Sequence, residues 1–201
     1  MGKLSNRLFA AALFLMIFSL FTTPAMADDV TDYINEALEY YKDGEYSEAV
    51  SSLNFAEQLI QQKKSSGLEA FLPEPLSGWN AEAVTSQAAG SAMLGGGISA
   101  ERQYSKGDSS IRIQILADSP MLQGVMMMLS NPMFAASDGG KMERIGKQKA
   151  IVKYDAASQE GEIQIVVANR FMVTVEGDGI SDKELKDYAK AIDFNKMAQL
   201  P

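Results

Sequence analysis

Six methionines, Met121, Met126, Met127, Met128, Met133 and Met142, fall within 22 residues, and their thioethers are the softest metal ligands in the chain. Soft sulfur favours Cu(I), and Met126, Met127 and Met133 are the candidate ligands because they fall partly outside the helical stripe made by Met121, Val125, Met128 and Leu129. The same methionines interleave with Leu122, Val125, Leu129 and Phe134, so packing in a core, or an adaptable apolar surface, suits them better than copper. Other chemistry is scarce. The chain has no histidine and no cysteine, which removes the commonest general base, the commonest metal ligand and any thiol nucleophile or disulfide. Ser91, Ser119 and Ser130 therefore lack a histidine base, and Ser119-Pro120-Met121-Leu122 lacks the lysine of a serine–lysine enzyme. Carboxylates abound, but no pair is placed across a cleft by spacing alone. Gly95-Gly96-Gly97 fits neither phosphate-loop pattern and reads as a loop or flap. The expectation is a non-enzymatic protein without a cofactor.

The elements that would position these residues begin with an export signal. Lys3 and Arg7 precede an apolar run from Leu8 to Phe21 that Thr22-Thr23-Pro24 ends, and Ala25-Met26-Ala27 supplies the small residues of a cleavage site. At about 14 residues, or ~21 Å as a helix, the run is short for a membrane span. Cleavage between Ala27 and Asp28 would leave 174 of 201 residues in the periplasm or outside the cell and take the formal charge from −8 to −10. That charge disfavours nucleic acid and anionic membranes as partners.

Two helices follow in residues 28–66. Val30, Ile34, Ala37, Leu38 and Tyr41 recur at helical spacing, and after Gly44 so do Tyr46, Ala49, Val50, Leu53, Ala56, Leu59 and Ile60. Lys63-Lys64-Ser65-Ser66-Gly67 reads as a helix end. Residues 37–64 resemble a tetratricopeptide repeat: Gly44 stands at the turn, Tyr46 behind it, and Ala49 and Ala56 where the helices cross. No residue is clearly placed as the family's aromatic near the start of the first helix or as its closing proline. The resemblance implies a hairpin that needs a neighbour, because one such unit cannot bury its own faces, and docking on the rest of its own chain suits it better than a surface for a partner. Tyr40 and Tyr46 are candidates for that contact.

Pro73, Pro75 and Gly78 mark residues 67–79 as an extended linker across the surface. Trp79, the only tryptophan, suits a core edge better than a ligand platform, and it is retained with Met121 and Met128 as a possible contact residue. In residues 80–201, strand signals occur at 98–104, 111–116, 141–145, 148–154, 162–168 and 170–176, with a helix over 121–129. Ser181 and Glu184 form a capping box for a last helix carrying Leu185, Tyr188, Ala189, Ile192 and Met197. The predicted order is β-β-α-β-β-β-β-α, an antiparallel sheet with two packed helices, in the α+β class. This order, with the proline-rich approach to Trp79, loosely resembles the PsbP/Mog1/DcrB-like group of small exported or adaptor domains, and no motif residue carries over from it.

Three functions are compatible with these elements. The first is a binding or adaptor protein that presents the hairpin and a methionine-rich face to another periplasmic or envelope protein. The second is a carrier with a pocket for a small apolar ligand behind Gly95–Gly97, and the third is Cu(I) handling.

Overall fold

The structure, a computed structural model, describes residues 28–87, 97–137 and 139–200. The expected export signal, Ser91, and Gly95 and Gly96 of the glycine loop lie outside these residues. The chain opens with a helical hairpin of α1 (Asp29–Asp43) and α2 (Tyr46–Glu69). Gly44, at φ 81°, makes the turn between them, and its N–H donates back to the carbonyls of α1. Only glycine adopts this left-handed geometry without steric cost. Ala37, Ala49 and Ala56, each at most 4% exposed, are buried along the seam, and the Ser52 hydroxyl donates to Glu36 across it at 2.9 Å.

Helix α2 does not stop at Lys63–Gly67 as its sequence suggests but runs on to Glu69. A glycine in a helix costs about 1 kcal/mol. That cost is offset because the last turn carries Ser65 and Leu68 into the body of the protein, where each is 1% exposed. The segment 67–79 is likewise not a surface crossing: Leu68, Phe71, Leu72 and Trp79 belong to the main hydrophobic core. Its backbone is held from the core side, with the Tyr104 hydroxyl donating to the Pro73 carbonyl at 2.7 Å and the Leu76 N–H donating to the Tyr188 hydroxyl at 3.3 Å.

The remainder is α+β. Two short strands, β1 (Asn80–Ala81) and β2 (Thr85–Gln87), both pair with β3 (Ile98–Lys106), which turns through Gly107 into β4 (Ser109–Ala117). Helices α3 (Leu122–Ser130) and α4 (Pro132–Ser137) follow, then β5 (Lys141–Ile145), β6 (Gln148–Asp155), β7 (Glu160–Val167) and β8 (Phe171–Asp178), and finally α5 (Asp182–Lys190) and α6 (Phe194–Met197). Every pairing is antiparallel and the order is β1-β3-β4-β8-β7-β6-β5, with β2 also on β3. The predicted order of six strands and two helices is present. Strands β1 and β2 and helices α4 and α6 are additional.

Alternation along the strands divides the sheet into two unlike faces. Ile111, Ile113, Ile115, Ile163, Ile165, Val173 and Val175 are at most 1% exposed and form one face, on which Leu185, Tyr188 and Ala189 of α5 lie. Ser181 and Glu184 cap α5 reciprocally, as their spacing predicts. Gly161 and Gly177 pair across β7 and β8, and a Cβ at Gly161 would stand 2.6 Å from Leu185 Cδ2. The opposite face is apolar where Leu116, Met172 and Val166 meet Leu122 and Val125 of α3, and at Ile151, which is 2% exposed. Beyond α3 it carries the cross-strand row Gln103, Arg112, Glu176, Glu162 and Lys153.

Candidate interaction surface

Before the last turn of α2 the buried residues of the hairpin are the small Ala37, Ala49, Ser52 and Ala56, whereas most large apolar ones are exposed, Phe55 on the other side of α2 among them. Ile34, Leu38 and Tyr41 of α1 are 45–62% exposed, and Tyr46, Val50, Leu53 and Ile60 of α2 are 41–64% exposed. At about 100° per residue each set forms a single stripe, displaced by roughly a quarter turn from the seam alanines in the same rotational sense. In an antiparallel pair that relation places both stripes on one side of the hairpin. Tyr41 ends one stripe, Tyr46 begins the other, and their rings are 5.7 Å apart across the turn.

At the base of the hairpin this apolar side runs into a pocket of about 360 Å³ between α1, α2 and the sheet domain. Val30, Ile60, Leu68, Ile98, Phe171 and Leu200 form its apolar wall, with Asp28, Lys63, Lys64 and Arg170 among the residues around it. These charges are paired: Lys63 with Asp28 at 2.6 Å, and Asp118 with both Lys64 at 2.7 Å and Arg170 at 3.0 Å. The Lys64 hydrogen bond, then that of Arg170, holds the Asp118 carboxyl below the usual carboxylate range despite partial burial. Asp118 thereby ties the hairpin to the turn before β8.

A second, open depression of about 630 Å³ lies at the polar end of the sheet and includes Arg112, Lys153, Glu162, Glu176 and Asp178. Its two cations are paired, Arg112 lying 3.5 Å from Glu101 and 3.6 Å from Glu176, and Lys153 3.9 Å from Glu162, while Asp155, Glu160 and Asp178 among its lining leave it net acidic. The most strongly perturbed carboxylate is structural: Lys106, then the Ser181 backbone and side chain, pull Glu184 down to about 2 at the α5 cap. Burial raises Tyr104 and Tyr188, which pack with ring centroids 4.7 Å apart in the core.

The sequence-predicted contact residues divide. Tyr46 stands in the exposed α2 stripe, while Tyr40 is half-buried. Trp79 is not a surface residue: it is 7% exposed, edge-on to Tyr188 at 5.3 Å, and Lys106 Nζ lies 5.5 Å from its ring centre. Burial of a large aromatic beside a turn decided the matter in favour of packing. Met121 is 53% exposed and Met128 half-buried, but α3 covers the sheet face opposite the one that receives Leu68, so they do not join the hairpin surface. Met127 and Met133 are 64% and 76% exposed, whereas Met126 is half-buried. Met126 and Met127 are consecutive on α3 and so diverge by about 100°.

Sequence reasoning placed the stripe residues on helical faces but missed that they remain uncovered. The available signal was width: Ala49 and Ala56 already form a packing stripe, so the larger residues beside them make the apolar arc too broad for one neighbouring helix. No family model, curated protein or solved structure matches the chain.

Proposed function

We propose that this chain is an exported, non-enzymatic adaptor whose helical hairpin binds another envelope protein. The observation that carries the reading is the continuous apolar side of the hairpin, where seven large side chains on two helices are 41–64% exposed. Apolar surface grouped in this way marks an interaction site, whereas scattered exposed residues need no explanation. The resemblance to a single tetratricopeptide repeat supports the same conclusion, since one unit without a stacked neighbour leaves a face to be covered.

Native mass spectrometry of the chain purified gently after export tests this. The adaptor reading predicts a protein-sized partner mass that disappears in a Val50→Ser/Leu53→Ser variant whose helical circular dichroism is unchanged. Retention of the partner by that variant contradicts it.

The pocket at the hairpin base favours a second reading, carriage of a small apolar ligand, because its wall is mainly aliphatic and its volume is near the lower end for ligand sites. Ile98 in that wall directly follows Gly97, the end of the glycine loop. Gly67 also lines the pocket, with open space around a built Cβ, so Gly67→Leu would extend into it. A small bound mass lost in Gly67→Leu and kept in the stripe variant identifies a carrier.

A further inference from the structure

Independently of the hairpin, we infer that helices α3 and α4, with the basic end of strands β5 and β6, form a docking surface for a membrane rich in anionic phospholipid. The protein would lie on that membrane without crossing it. The helix pair gives the first argument. From Ser119 to Ser137, 19 consecutive residues carry no charge. Met121, Met127 and Met133 are 53%, 64% and 76% exposed, and Met126, Met128 and Leu129 are half-buried. Leu122 packs inward on Leu116 and Met172. At about 100° per residue, Met127, Gly124 and Met128 then fall on the side of α3 away from Leu122, so the outward side is apolar too. The Ser130 hydroxyl is turned onto the Met126 carbonyl at 2.7 Å, and the Asn131 side chain accepts the Met133 N–H at 3.1 Å. A helix apolar on both sides belongs in a core or in lipid, and here the outer side is exposed.

Charge gives the second argument and the occupant. Beneath α3 the sheet row Leu116, Met172 and Val166 continues to Lys149 and Arg144: Ala150 pairs with Ile165, which sets Lys149 beside Val166, and Lys149 pairs with Arg144. Helix α3 lies over β6 and β7 and α4 against β5, so the apolar helices and these cations share one face. Lys147 stands in the turn between β5 and β6. Arg144, Lys147 and Lys149 are exposed and make no ion pair among the described residues. Glu143 alternates to the other face, where it pairs with Lys186 at 2.8 Å. The net charge of −8, which disfavours an anionic surface for the chain as a whole, is therefore unevenly placed. Residues 28–69 hold ten carboxylates and three lysines, whereas residues 119–153 hold five cations and two carboxylates, a net +3. Asp118, just before that stretch, is held by Lys64 and Arg170.

Cations beside an apolar surface reach lipid phosphates while the apolar side chains enter the acyl boundary. A bilayer needs no groove, and neither pocket described above is lined by α3 or α4, whereas a protein partner needs complementary relief. The cations also lie at the sheet edge opposite the one on which α2 packs, so this contact is compatible with a partner on the hairpin.

The test is flotation of the chain purified after export with vesicles of phosphatidylcholine alone or mixed with phosphatidylglycerol. Each cation near an anionic surface is worth roughly fivefold in affinity, so the three should favour the mixed vesicles by about tenfold to a hundredfold at low salt, and less as salt is added. Arg144→Gln/Lys147→Gln/Lys149→Gln should bring that binding down to the level seen with phosphatidylcholine. Met121→Gln/Met127→Gln/Met133→Gln should weaken binding to the mixed vesicles at least about tenfold with circular dichroism unchanged. In the unaltered chain, those vesicles should slow amide hydrogen exchange in α3 and α4, and Val50→Ser/Leu53→Ser should float as well as the parent.

No flotation with the mixed vesicles, or equal flotation with both kinds, overturns the inference. Flotation that the hairpin variant loses and the methionine variant keeps places the lipid contact on the hairpin and overturns it too. A copurified protein whose mass disappears in the methionine variant makes another protein the occupant of this face, again overturning it. The adaptor reading keeps its separate readout, the partner mass lost in Val50→Ser/Leu53→Ser.

Discussion

Enlarging Ala56 to leucine forces three extra carbons into the seam between α1 and α2, where Ala56 is 3% exposed and Ala37 and Ala49 are 4% exposed. Overpacking of a closed interface costs about 1–3 kcal/mol. Leu53, one turn away, is 51% exposed, so it contributes only about half of the ~1.5–3 kcal/mol of a fully buried leucine. Alanine's better helix propensity returns a little of that. Leu53→Ala should therefore cost no more than about 1 kcal/mol, although leucine is the larger residue and its loss would ordinarily be the worse injury. Urea unfolding followed by far-ultraviolet circular dichroism ranks the two. Thermal midpoints should fall by roughly 3–10 °C for Ala56→Leu and less than about 4 °C for Leu53→Ala in a domain of this size. The reverse order would mean that the alanines are not the contact residues and that the exposed stripe is misassigned.

Gly67→Ala should stabilise the protein by about 0.5–1 kcal/mol in the same assay, because Gly67 sits inside α2 with nothing near a built Cβ. A loss of stability would mean that the last turns of α2 are not helical. Gly161→Ala should destabilise by about 1–3 kcal/mol, since the added methyl meets Leu185 at 2.6 Å and Tyr154 at 2.9 Å; a neutral result would place α5 farther from the sheet. Because Glu184 is held at about 2, below its ordinary 4.5, the stabilisation by its carboxylate is complete above 4.5 and fades as the pH falls towards 2. Glu184→Gln, which keeps part of the capping geometry, should flatten the loss of stability across that window, and acid titrations of equal slope would contradict the pairing with Lys106 and Ser181.

What could be read from the sequence follows where local and tertiary forces agree. Strand alternation at Ile163, Ile165 and Val167, the Ser181–Glu184 cap and the turn at Gly44 all reappear because neighbouring residues suffice to specify them. The failures occur where distant burial overrides local preference. Gly67 reads as a helix stop, yet Leu68 draws α2 onward into the core, and the prolines of 73–75 read as a surface crossing although Phe71 and Trp79 anchor that segment inside. Strands β1 and β2 are too short to produce a periodic pattern and exist because β3 offers an edge. Of the candidate surface, the sequence indicated which residues are apolar and helical; which of them lack a covering neighbour depends on where the sheet domain ends, and no local pattern encodes that.

The central claim, that the stripe side of the hairpin is the contact face, is most directly tested by photocrosslinking in the intact cell with a benzophenone amino acid at position 53 or position 48. Leu53 lies in the stripe, and Glu48 is exposed on the far side of the same helix, about 140° away. The account predicts a discrete crosslinked adduct from position 53 and none from position 48. Adducts of equal yield from both, or an adduct from position 48 alone, would contradict it.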